Sequence, residues 1–199
     1  MAINAYARSA ADAVLRPVVA GLVRVGATAD AMTVLGLLTV LIGAGLVAAG
    51  QRQAGALVVL AGALLDALDG GVARARGTQR PFGAFLDSVT DRVADVAVFG
   101  AVAWLVRDDA VLFTVTLVAL GAAQVTSYMR AKAESLGWHA TVGVVERAER
   151  LGILLLGIFF APLLVPAVWL LAVGGVVTIA QRFATVARQA REPGPAGGA

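Results

Sequence analysis

Leu65-Asp66-Ala67-Leu68-Asp69-Gly70-Gly71-Val72-Ala73-Arg74 closes an apolar run, Gln53 to Leu65, that contains no charged residue. The run alone is too short to cross the hydrocarbon core of a bilayer, which takes about 20 residues of helix. It becomes long enough only if the helix continues through Asp66 and Asp69. Val96 to Val106 poses the same problem, and its extension backwards takes in Asp91 and Asp87. Both runs therefore predict membrane helices that carry carboxylates at depth.

Around these runs lie three windows with no charge at all: Ala31 to Gln51, Ala110 to Met129, and Leu151 to Gln181. The last is long enough for two spans, with Pro162 and Pro166 marking a turn between them. Hydrophobic residues make up 59% of the 199, charged residues 15%, and the mean hydropathy is +0.85, which excludes an ordinary soluble domain. The expected fold is all-α and polytopic, with six transmembrane helices near 32–50, 54–74, 83–106, 110–134, 148–162 and 166–188. An amphipathic helix precedes them. Over residues 3–25, Arg8, Asp12 and Arg16 recur at four-residue spacing opposite Ile3, Val14, Val18 and Leu22, without a signal-peptide cleavage site. The expected organisation is an interfacial segment over 1–30, a transmembrane domain over 31–191 and a Pro/Gly-rich flexible tail over 192–199.

Six crossings put both termini on one side. Of the basic residues only Arg52 and Arg107 then fall on the other, so the rich side, with both termini and the acids, reads as cytoplasmic in a multi-pass cell-membrane protein. The chain has no cysteine, which excludes disulfides and thiolate chemistry. The expected surroundings are a lipid bilayer, with no nucleic-acid partner.

Charge at membrane depth costs a few kcal/mol per residue on insertion scales, so a cluster of acids there marks function. Asp66 and Asp69 share one helix face; Asp87 and Asp91 stack one turn apart on the next, after a break containing Gly77 and Pro81. An antiparallel pair would point all four carboxylates at one another. Their repulsion calls for cations, and an all-oxygen donor set without His or Cys suits Mg²⁺ or Mn²⁺. Gly70 and Ala73 leave room for phosphates near the backbone, and Arg74 adds positive charge there. Structural pairing with Arg74, Arg76 and Arg92 is the plainer alternative. A divalent cation carrier is another, though the acids lie nearer the basic end of their spans than the midplane.

The pattern D-x2-D-G-x2-A-R-x8-G-x3-D-x3-D, met here at Asp66, Asp69, Gly70, Ala73, Arg74, Gly83, Asp87 and Asp91, resembles the signature of the CDP-alcohol phosphotransferases. The resemblance implies an amphipathic helix followed by six transmembrane helices, a homodimer, and two divalent ions held by Asp66, Asp69, Asp87 and Asp91. It implies that CDP-diacylglycerol is the donor, that Gly70, Ala73 and Arg74 line its nucleotide site, and that Asp91 also serves as general base. Thr28-Ala29-Asp30-Ala31-Met32-Thr33 is similar to the family's T-P-[ND]-x-x-T stretch, with Ala29 in place of proline. That makes Asp30 and Thr33 candidates for the cytidine; without the family, Asp30 reads as the cap of the first span.

A basic cluster follows. Ser127-Tyr128-Met129-Arg130-Ala131-Lys132-Ala133-Glu134, Glu146-Arg147-Ala148-Glu149-Arg150 and Gln181-Arg182 all fall at the cytoplasmic ends of spans four to six. Part of this is the ordinary positive-inside bias. A basic pocket between those ends also suits an anionic acceptor. The first two stretches are similar to the bacterial phosphatidylinositol-phosphate synthases, and the resemblance implies that Ser127, Arg130, Arg150 and Arg182 hold the phosphate of inositol 1-phosphate. Glycerol 3-phosphate, the acceptor of a phosphatidylglycerol-phosphate synthase, is anionic too and stays open.

Overall fold

The computed structural model describes residues 17–78 and 80–191. After a short helical segment over 17–24 come α1 (Ala29–Ala48), α2 (Arg52–Arg76), α3 (Pro81–Leu105), α4 (Ala110–Ser135), α5 (Arg147–Phe159), a 3-10 turn (Ala161–Leu163) and α6 (Leu164–Gln189). There is no strand among the described residues. The polar face expected around Arg8 to Arg16 and the tail expected over 192–199 lie outside them.

The close pairing of α1 with α2 fixes the site. A Cβ added at Gly43 would lie 2.7 Å from the Val59 backbone nitrogen, one at Gly55 2.8 Å from the Val47 nitrogen, and one at Gly62 2.8 Å from the Val40 nitrogen. The two antiparallel helices thus touch backbone to backbone at seven-residue intervals, Gly36 and Gly43 facing Gly62 and Gly55. In lipid, where apolar side chains gain nothing by leaving water, such small-residue contact is what holds helices together. The end of this contact nearest the acids is Gly36, whose added Cβ would lie 3.1 Å from the Asp66 nitrogen and 3.3 Å from the Asp66 Cβ. The interior beyond is closed by Val47, Val59, Phe99, Val102, Ala119, Leu154, Ile158 and Val168.

The break between α2 and α3 is built as its residues require. Gly77 caps α2 in the left-handed conformation (φ 63°), and Pro81 opens α3, where a missing N–H breaks no helical bond. Asp109 caps α4, accepting from Val111 N and Leu112 N, and Glu146 with Glu149 forms a capping box on α5. The N-cap of α1 is Thr28, which accepts from Ala31 N at 3.3 Å; Asp30, expected there, lies in the first turn and pairs instead with Arg80. Pro166 likewise differs from expectation. The turn is made at Ala161–Leu163 with Pro162, and Pro166 sits in the first turn of α6, where proline is tolerated.

A helix stands near each of the six expected positions, but among the described residues four stretches, not six, are long and apolar enough to cross a membrane: α1, α2, α4, and α6 with its preceding 3-10 turn. The other two differ for visible reasons. α3 carries Asp87, Asp91, Arg92 and Asp95, and α5, at 13 residues, is about 20 Å long against an apolar core of about 30 Å. α5 stops where Arg52 caps it: the guanidinium donates to the carbonyls of Ile158 (3.2 Å) and Gly157 (3.1 Å), which would otherwise lack partners. The protein is an integral membrane protein built from a bundle in which two helices are specialised for polar work.

Candidate active site

α2 and α3 bring three of the expected aspartates together. Asp66, Asp69 and Asp87, each half-buried, offer carboxylate oxygens that all lie within 4.8 Å of one another. Oxygens bonded to one hard cation at about 2.1–2.5 Å can be no more than about 5 Å apart, so this donor set fits a divalent ion, and no nitrogen or sulfur ligand competes. Thr33, one turn into α1, donates its hydroxyl to Asp69 Oδ2 at 2.5 Å. The glycine contact at Gly36 sets the Asp66 backbone, and Thr33 sets the Asp69 carboxylate, so α1 orients both α2 acids.

Asp91 is held differently. Its Oδ1 meets Arg147 Nη2 at 2.6 Å, while Arg147 Nη1 lies 3.7 Å from Asp66 Oδ2 and Arg92 Nη2 lies 3.7 Å from Asp91 Oδ2. Arg147, at the start of α5, thus bridges an acid of each hairpin helix. Of the arginines named as plain neutralisers in the sequence, Arg92 does approach an acid. Arg76 turns away, donating to the Val23 carbonyl.

Two compartments flank the acids. One, of about 230 Å³, is lined by Asp30, Thr33, Asp69, Gly70, Ala73, Gly83 and Asp87, with Arg80 at its edge. All the residues expected at the nucleotide line it except Arg74, whose Nη1 lies 3.4 Å from where a Cβ at Gly70 would stand. The other compartment, about 1010 Å³, is lined by Asp87, Asp91, Ser127, Arg130, Arg147, Arg150 and Arg182, among others. It therefore collects the four residues expected at an acceptor phosphate. Arg182 is buried; its Nε donates to the Val142 carbonyl at 2.9 Å and its Nη1 to the Thr126 carbonyl. Ser127 donates to the Ala123 carbonyl at 2.9 Å, and Arg130 pairs with Glu134 at 2.9 Å on the exposed side.

Three contributors were not singled out from the sequence. Arg147 stood among the positive-inside charges, and only the fold brings α5 against Asp91. Arg80 stood among the same positive-inside charges, yet it pairs with Asp30 at the smaller compartment. Asp95 lies one turn beyond the signature, and its spacing from Asp91 was a usable signal: i to i+4 puts it on the same face, deeper in the bundle.

The CDP-alcohol phosphatidyltransferase family model matches residues 27–186. The chain belongs to this family. It is 42% identical over 191 residues to a phosphatidylinositol phosphate synthase of Mycobacterium marinum, covering 90% of this chain and 82% of the relative. It is 41% identical over 206 residues to one of Streptomyces avermitilis, covering 96% and 84%. Among solved structures it resembles the Mycobacterium tuberculosis phosphatidylinositol phosphate synthase with CDP-DAG bound, with a TM-score of 0.82, 40% identity, and coverage of 92% of this chain and 96% of that one. The same mycobacterial enzyme in complex with manganese and citrate gives a TM-score of 0.83 at 40% identity, covering 92% of each chain.

Proposed function

We propose that the protein transfers the phosphatidyl group of CDP-diacylglycerol to inositol 1-phosphate, yielding phosphatidylinositol phosphate and CMP. The observation that carries this reading is the position of Asp87, which faces both compartments at once. A donor in the smaller compartment and an acceptor in the larger meet across the carboxylates. Family membership and the named activity of the relatives support the same chemistry.

In this reading Asp66, Asp69, Asp87 and Asp91 hold two ions, Mg²⁺ or Mn²⁺. When bound, they neutralise the donor's pyrophosphate and the charge that develops on departing CMP. Asp30, Thr33, Gly70, Ala73 and Arg74 hold the nucleotide, the small residues by letting it approach the α2 backbone. Thr33 also fixes the Asp69 carboxylate, the kind of supporting contact that tunes a metal ligand. Asp91 faces the larger compartment, where its carboxylate takes the proton of the attacking hydroxyl. Ser127, Arg130, Arg150 and Arg182 bind the acceptor's phosphate, with arginine suited to bidentate contact. The segment over 1–30 lies in the interface, residues 31–191 cross the cell membrane six times, and both termini and the site face the cytoplasm. The protein works as a homodimer.

The test is CMP release by purified protein given CDP-diacylglycerol and inositol 1-phosphate, with and without Mg²⁺ or Mn²⁺. Release that depends on both metal and acceptor is expected. Metal flux into liposomes without CMP release would instead identify a carrier. A phosphatidylglycerol-phosphate synthase would share the carboxylates and accept glycerol 3-phosphate; the buried arginines of the larger compartment favour a phosphate monoester without choosing between the two.

A further inference from the structure

Asp95 and Arg150 are each 6% exposed, and Arg150 Nη2 donates to Asp95 Oδ2 at 2.6 Å. The pair joins α3 to α5 one turn deeper than the contact of Asp91 with Arg147. Asp95 is not one of the acids whose oxygens converge within 4.8 Å, and it is not part of the family signature. A buried ion pair is a poor way to gain stability alone, because apolar residues of similar volume serve as well or better. Arg150 also lines the basic compartment, and its Nε is buried without a hydrogen-bond partner. A guanidinium carries five N–H groups, so one nitrogen tied to Asp95 leaves donors for a ligand. The buried arginines of that compartment are each tethered: Arg182 to the carbonyls of Thr126 and Val142, Arg150 to a carboxylate that has no place among the ligating acids.

We propose that Asp95 is a positioning residue for the acceptor, fixing the Arg150 guanidinium in the wall of the basic compartment so that it meets a phosphate monoester in one orientation. The proposal rests on the reading that Arg150 binds the acceptor's phosphate. Without its carboxylate partner the arginine side chain regains its rotamers, and the order it loses on binding must be supplied by the ligand. The effect therefore falls on acceptor binding and spares both the donor and the chemical step.

The test is steady-state kinetics of the purified full-length protein, with inositol 1-phosphate and CDP-diacylglycerol varied in turn, for Asp95→Asn, Asp95→Glu, Arg150→Ala and Asp95→Asn/Arg150→Ala. Asp95→Asn is expected to raise KM for inositol 1-phosphate roughly ten-fold, as loss of a charged hydrogen-bond partner does. Its kcat and its KM for CDP-diacylglycerol stay within about two-fold by the same argument, and Asp95→Glu recovers part of the loss. In the Arg150→Ala background the Asp95 change adds nothing, because the group it positions is gone. An unchanged acceptor KM in Asp95→Asn, or a fall in kcat with both KM values unmoved, overturns the proposal. If Arg150→Ala itself leaves the acceptor KM unchanged, the acceptor reading fails as well; if it raises that KM while Asp95→Asn does not, the positioning role alone fails. Should Asp95→Asn not fold, the partial recovery in Asp95→Glu and its KM split carry the same decision.

Discussion

In the carboxylate half of the site, α1 and α2 touch through glycine backbones, and the acids project from rigid helices a few ångströms from that contact. In the basic half, long arginine side chains reach across from α5 and α6 and are tethered one by one to carboxylates and carbonyls. The difference suits two tasks. Metal ligands need oxygens placed to a few tenths of an ångström, which backbone packing provides. A pocket for an anionic group needs positive charge held in one orientation, which the carboxylate and carbonyl tethers provide.

The comparison can be broken most severely at Asp91. Asp91→Asn keeps size and removes the base, and it should lower kcat by about 10²–10⁴-fold in a CMP-release assay. Turnover near normal with metal still bound, measured by Mn²⁺ paramagnetic resonance, would show that the proton goes elsewhere. Next comes the glycine seam. Gly43→Ala and Gly62→Ala place a methyl against backbone that cannot yield, and should cost about 1–3 kcal/mol, lowering the thermal midpoint in detergent by about 2–4 °C per kcal/mol. Thr33→Val, nearly equal in volume, removes only the hydroxyl that orients Asp69. It should weaken Mn²⁺ binding by about 10–100-fold with little change in midpoint, which isothermal titration would detect. The smallest effect belongs to the outer rim: the exposed Arg130–Glu134 pair contributes less than about 1 kcal/mol, so Glu134→Gln should leave the midpoint almost unmoved.

The two halves also differed in how far the sequence revealed them. The acids at 66, 69, 87 and 91 are legible because their spacings are set within helices, where i to i+3 and i to i+4 put residues on one face whatever the rest of the chain does. The break at Gly77 and Pro81 is legible for the same local reason. Ser127, Arg130, Arg150 and Arg182 were reached through a family resemblance, and the structure gathers them on one compartment. The bridge from Arg147 to Asp91 was not legible, since 56 positions separate the two and no local rule joins them. Arg52 was read as an ordinary charge on the far side; its capping of α5 exists only because α2 and α5 pack side by side. The expected span 148–162 overruns α5 because hydropathy continues past Phe159 through Phe160 and Ala161 while the helix ends at Phe159.

The central claim is that the carboxylates run the transfer and the tethered arginines hold the phosphate of the acceptor, inositol 1-phosphate. It is tested most directly by initial rates of CMP release from CDP-diacylglycerol with inositol 1-phosphate, glycerol 3-phosphate, free inositol and serine offered separately to the same purified protein. Turnover with inositol 1-phosphate well above the other three is the expected result; turnover with glycerol 3-phosphate and none with inositol 1-phosphate would contradict the choice of inositol 1-phosphate as acceptor.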